Sequence, residues 1–123
     1  RNAMKFKDLI PGNSLYILCI DPETDEATGI REGIVDSLND SGTVLGVRLL
    51  DPSDKSKTIL RIYFRVNPEH EINDSLLEDK EHRLKSVFES KTDAISKYIE
   101  YCESKIEQYR RNIESIGRKF IIP

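Results

Sequence analysis

The chain has 123 residues, 33% of them charged, and a formal net charge of −3. That length suits one compact core, and the slight acidity gives no overall attraction to phosphate backbones or anionic lipid, so nucleic-acid binding would need a local basic patch. No apolar run resembles a signal-peptide core or approaches the roughly 20 residues of a membrane span, which predicts a cytoplasmic protein with no membrane partner.

Arg1-Asn2-Ala3 ahead of Met4 reads as a remnant of tag cleavage, with Met4 as the native start. From Lys5 to Val66 the apolar residues come in short β-branched and aromatic runs separated by turn residues, the pattern of strands. Leu15–Ile20 is the first, entered from the turn Pro11-Gly12-Asn13. It is apolar without interruption, which predicts that both of its faces are covered. The acidic stretch Asp21-Pro22-Glu23-Thr24-Asp25-Glu26 reads as an exposed, solvated loop. It lacks the glycine and the terminal glutamate of an EF-hand.

A second strand is predicted over about Ile30–Leu38, then a tight turn at Asn39-Asp40-Ser41-Gly42 and a third strand over Thr43–Leu50. In the third, Thr43, Leu45, Val47 and Leu49 share one face, and Val44, Gly46, Arg48 and Leu50 the other. After a turn at Asp51–Ser56, the strand Thr58–Val66 turns Leu60, Ile62, Phe64 and Val66 inward and Arg61, Tyr63 and Arg65 outward. The fold class is therefore α+β. Residues 4–70 form an antiparallel meander, most economically closed as a small SH3-like barrel of four to five strands; an open sheet covered by a helix is the alternative.

Beyond Asn67-Pro68 the period changes. Ser75-Leu76-Leu77-Glu78 has the form of a capping box, and neither proline nor glycine intervenes before Gly117, a fitting terminator. This predicts a helix over residues 74–117, about 63 Å long from Ser75 to Ile116 if continuous, or a hairpin of helices broken near Ser90–Thr92. Favourably ordered acid–base pairs four apart support it: Asp79 with Arg83, Glu81 with Lys85, Asp93 with Lys97, Glu107 with Arg111 and Glu114 with Arg118.

Along this helix run Phe88, Ile95, Ile99, Cys102, Ile106, Tyr109, Ile113 and Ile116. From Ile95 the spacing alternates four and three, the seam of a heptad repeat with Ile99, Ile106 and Ile113 at a and Ile95, Cys102, Tyr109 and Ile116 at d. A stripe of this kind also packs on a chain's own sheet, but here the predicted helix outruns the sheet, so the stripe is a candidate oligomer interface. A parallel dimer would set Lys105 at g against Arg110 at the partner's e position, which favours an antiparallel pair or a larger bundle. The apolar tail within residues 118–123, Phe120-Ile121-Ile122-Pro123, should dock on the barrel or on a neighbour.

Catalytic and cofactor-binding motifs are missing: no phosphate loop, no serine nucleophile elbow and no Cys-His-Asp grouping. Cys19 and Cys102 lack the paired spacing of zinc sites and read as buried reduced thiols; a disulfide is the alternative. His70 and His82, set among charges, read as solvated. The outward set Arg61, Tyr63 and Arg65, joined by Arg48, is the one basic and aromatic group suited to a partner surface for a peptide or a nucleic-acid backbone.

Phe6-Lys7-Asp8-Leu9-Ile10-Pro11-Gly12, Leu15-Tyr16-Ile17-Leu18 and Gly33-Ile34-Val35-Asp36-Ser37 resemble the first hairpin of SH3-like barrels, and also small uncharacterised proteins of tailed phages of gut Bacteroides that pair such a barrel with a helical tail. The resemblance covers about the first 40 residues and implies an accessory or virion-associated role. The expectation is a non-enzymatic homo-oligomeric interaction module without metal or cofactor, and the alternative is a nucleic-acid-binding module.

Overall fold

Ser14–Ile20 forms β1, the strand about which the molecule is layered. Leu15, Ile17 and Cys19 point into the main core, where they meet Leu45, Val47, Leu49, Ile62 and Phe64. Leu18 is equally buried but points the other way, into a second apolar layer with Phe88 and Ala94. The uninterrupted apolar run thus has the cover on both faces that it requires. The structure, a computed structural model, describes residues 3–121 with the side chains of Glu78 and Ile121 excepted.

Four strands follow one another as a meander: β1, β2 (Ala27–Leu38), β3 (Val44–Asp51) and β4 (Asp54–Arg65). The β2–β3 turn is organised by Asn39, whose side-chain oxygen accepts from Thr43 N at 2.8 Å and Val44 N at 2.9 Å. Gly42 closes it at φ 72°, a conformation that disfavours a Cβ. In β3 and β4 the alternation read from the sequence holds for Leu45, Val47, Leu49, Ile62 and Phe64, which are buried, and for Arg61, Tyr63 and Arg65, which are exposed; Leu50, read onto the opposite face, is also buried, Leu60 and Val66 are half-buried, and Thr43 is exposed.

The predicted helix over residues 74–117 is corrected over its first third. Ser75–Asp79 is β5 and Leu84–Phe88 is β6, an antiparallel pair that joins the sheet beside β1 in the order β4-β3-β2-β1-β6-β5. Among the described residues the sheet therefore has six strands, against the predicted four to five, and it is open, with β4 and β5 as its edges. The cause is non-local. The free edge of β1 needs a partner, and Tyr16, Ile17 and Leu18 find it in Phe88, Val87 and Ser86. The turn between β5 and β6 is set by Asp79, which accepts from His82 N at 3.0 Å, and by Arg83 at φ 60°. His82 also lies 2.9 Å from that carboxylate through Nδ1, so it is partnered by a side chain instead of only solvated. Asp79 with Arg83 and Glu81 with Lys85 are consequently not helical pairs.

The helix itself, α1, spans Lys91–Ile116, 26 residues or about 39 Å. It starts at Ser90, near the position where a break in the longer helix is expected: Ser90 Oγ accepts from Asp93 N at 3.4 Å. Gly117 does not stop the chain in a left-handed conformation. Its φ is −57°, and Gly117–Ile121 continues as one turn of π-helix.

Candidate interaction surfaces

One face of α1 is committed to its own sheet. Ala94 is fully buried against Leu18 and Phe88, and Tyr98 and Tyr101 flank it, an i, i+4, i+7 set that fixes which side looks inward. Polar contacts hold that orientation. Tyr101 donates to Asp25 at 3.1 Å, Tyr109 donates to Glu26, and Lys97 reaches Asp74 at 3.2 Å. At the N-terminus, Asn73 accepts from Glu89 N at 2.8 Å and donates to Asp93 at 3.2 Å, clipping the β5–β6 hairpin to the helix. Both phenols are pushed above their usual pKa, Tyr101 mainly by burial and then by its bond to Asp25, Tyr109 mainly by its bond to Glu26.

The acidic stretch read as a solvated loop is therefore also the clamp that holds the helix. The sequence signal for it was present in Ala94, Tyr98 and Tyr101, a second stripe beside the isoleucines.

With that face inward, the heptad seam lies about 100° around the helix. Ile95, Ile99, Ile106, Tyr109, Ile113 and Ile116 are between 41% and 71% exposed, and Phe120 extends the line at 79%. Cys102, on the same seam, is half-buried. Phe88 does not belong to it: it sits in β6 at 3% exposure, facing the inner side of α1, because residues up to Ser90 are sheet and turn. Exposed apolar side chains recurring along one helix face are a candidate interaction surface. The tail's Ile122 and Pro123 lie outside the described residues, and so do Arg1 and Asn2.

The basic set is brought onto one sheet face but is not free. Asp36 on β2 lies between Arg48 (3.4 Å) and Arg61, so two of the three arginines share one carboxylate across three strands. Tyr63 stands opposite Gly46, where an added Cβ would meet the Tyr63 ring at 3.0 Å and Ser37 Oγ at 2.6 Å. Its ring thus covers the backbone of β3. Arg65 is exposed at the end of β4, on the rim of an open groove of about 660 Å³ that β4 and β5 line together, with Phe6, Phe64 and Leu77 beneath.

Cys19 and Cys102 are both free thiols, Cys19 in the core with its pKa raised by burial. His70 is exposed. Among the described residues no cluster of three His, Cys, Asp or Glu side chains is arranged to hold a metal ion, and no helix is long and apolar enough to cross a membrane. Comparison with protein-family models, with curated proteins and with solved structures finds no match to this chain.

Proposed function

We propose that this chain is a non-enzymatic assembly module that associates with copies of itself through the outer face of α1 and presents its sheet to a protein partner. The observation that carries the reading is the mismatch on α1: the isoleucines of a heptad seam are exposed while the neighbouring face of Ala94, Tyr98 and Tyr101 packs on the sheet, with Tyr109 at the border of the two, its ring on the seam and its hydroxyl on Glu26. Because the seam isoleucines are 41–71% exposed, leaving the seam in water forgoes roughly half of the 1.5–3 kcal/mol that full burial of a large apolar side chain contributes. The curled open sheet reads as an incomplete SH3-like barrel, and the resemblance of residues 6–37 to proteins of tailed phages suggests a virion-associated or accessory setting.

Size-exclusion chromatography with light scattering over a dilution series tests this. A mass that rises above one chain with concentration is expected. A monomer at every concentration contradicts it. The nucleic-acid alternative has weaker support, because Arg48 and Arg61 are held by Asp36 and only Arg65 remains without an acidic partner among the described residues.

A further inference from the structure

We infer that the seam of α1 is occupied by a second copy of the same helix running antiparallel, in the register that sets Glu103 beside the partner's Arg110 and no like charges together. This rests on the assembly reading above and adds orientation and register to it.

In an antiparallel pair, a positions of one helix share layers with d positions of the other, and the flanks meet e to e and g to g. Placing Ile99 against the partner's Ile116 puts Cys102 against the partner's Ile113, and Ile106 against the partner's Tyr109. Ile95 then lies level with the partner's π-helical turn Gly117–Ile121, which carries the exposed Phe120. A small residue faces a branched one at the Cys102 layer.

The flanks select this register. Glu103 at e falls beside the partner's Arg110, twice by symmetry, and Lys105 at g falls beside the partner's Asn112. Sliding one helix by a heptad either way sets Glu103 against Glu103 with Lys105 against Lys105, or Arg110 against Arg110. A parallel pair sets Lys105 against Arg110. The charges are also available. Glu103 is exposed and has no ion pair among the described residues, while Arg110 shares Glu107 with Arg111, so it can leave that carboxylate still paired.

The test is charge exchange with thiol mapping in the full chain. Glu103→Arg and Arg110→Glu should each raise the dimer dissociation constant roughly tenfold, and the double exchange should restore it. In a parallel dimer Arg110→Glu would relieve Lys105 and tighten binding, which would overturn the inference. Under a mild thiol oxidant, Ile113→Cys should give a covalent dimer linked between Cys102 and position 113, whereas the wild type should not cross-link, because its two Cys102 residues lie about 16 Å apart along the axis. A wild-type dimer linked through Cys102 overturns the inferred orientation and register and leaves the assembly reading standing. A wild type that stays monomeric overturns both the inference and the reading beneath it.

Discussion

The hydroxyl of Tyr101 on α1 donates to the carboxylate of Asp25 at 3.1 Å across 76 residues of sequence, tying the helix to the loop between β1 and β2. Tyr109 repeats the arrangement on Glu26. These contacts, with the apolar layer around Leu18, decide which side of α1 faces inward, and so which side remains for a partner.

The clamp predicts an alkaline limit. Both phenols have raised pKa values in the folded state, so their contribution is complete below the usual phenol value of 10.0 and is lost as pH rises through the higher folded values. Lys97, also near Tyr101, acts in the opposite sense. Thermal melts of the wild type and of a Tyr101→Phe, Tyr109→Phe double variant should differ at pH 7, with the wild type higher, and the gap should close above about pH 10. A gap unchanged to pH 11 would show that the hydroxyls do not anchor the helix.

Leu18 belongs to the helix-facing layer and is fully buried. Leu18→Ala should cost about 2–5 kcal/mol in denaturant unfolding. Because Leu18 does not line the main core, amide exchange should quicken first in residues 91–105 of α1. Faster exchange confined to β3 and β4 would contradict this layering.

Ser86 is 1% exposed beside Leu18 on that same layer, and its hydroxyl has no hydrogen-bond partner among the described residues. An unmade bond at a buried hydroxyl costs about 1–3 kcal/mol. Ser86→Ala should therefore be neutral or raise stability by up to about 1 kcal/mol, measured as the denaturation midpoint. A loss above 1 kcal/mol would reveal a partner for the hydroxyl.

Asp36 holds Arg48 and Arg61 on the sheet surface. Asp36→Ala should lower stability by no more than about 1 kcal/mol, as for other partly exposed ion pairs. On the protein-partner reading, the variant should leave labelled DNA and RNA unretarded at low salt. Retardation that fades as salt rises would favour the nucleic-acid alternative.

How legible this was from the sequence depended on how local the deciding forces are. The first four strands could be read because each carries its own evidence: Asn39 and Gly42 make a turn, and Leu45, Val47 and Leu49 are separated by Gly46 and Arg48. The run Leu15–Ile20 even announced a second covering layer. Residues 75–88 were misread because Ser75-Leu76-Leu77-Glu78 has the local form of a helix start, as does Ser90-Lys91-Thr92-Asp93. Only the open edge of β1, far away in sequence, decides between them. The missing apolar residue at positions 91 and 92, between Phe88 and Ile95, was the one local sign that the seam begins later. The arginine face was legible as a face, but Asp36, which holds two of its members, comes from another strand and no short-range pattern marks it.

The central claim is that α1 turns a heptad seam to the outside for a second chain to cover. Sedimentation equilibrium of the wild type beside an Ile106→Ser, Ile113→Ser variant measures it directly. Both isoleucines are more than half exposed in the single chain, so the variant should keep its fold and circular dichroism. The account predicts a wild-type mass of twice the 14.2 kDa of one chain and a variant that sediments as a monomer. A wild type and variant of the same mass would contradict it.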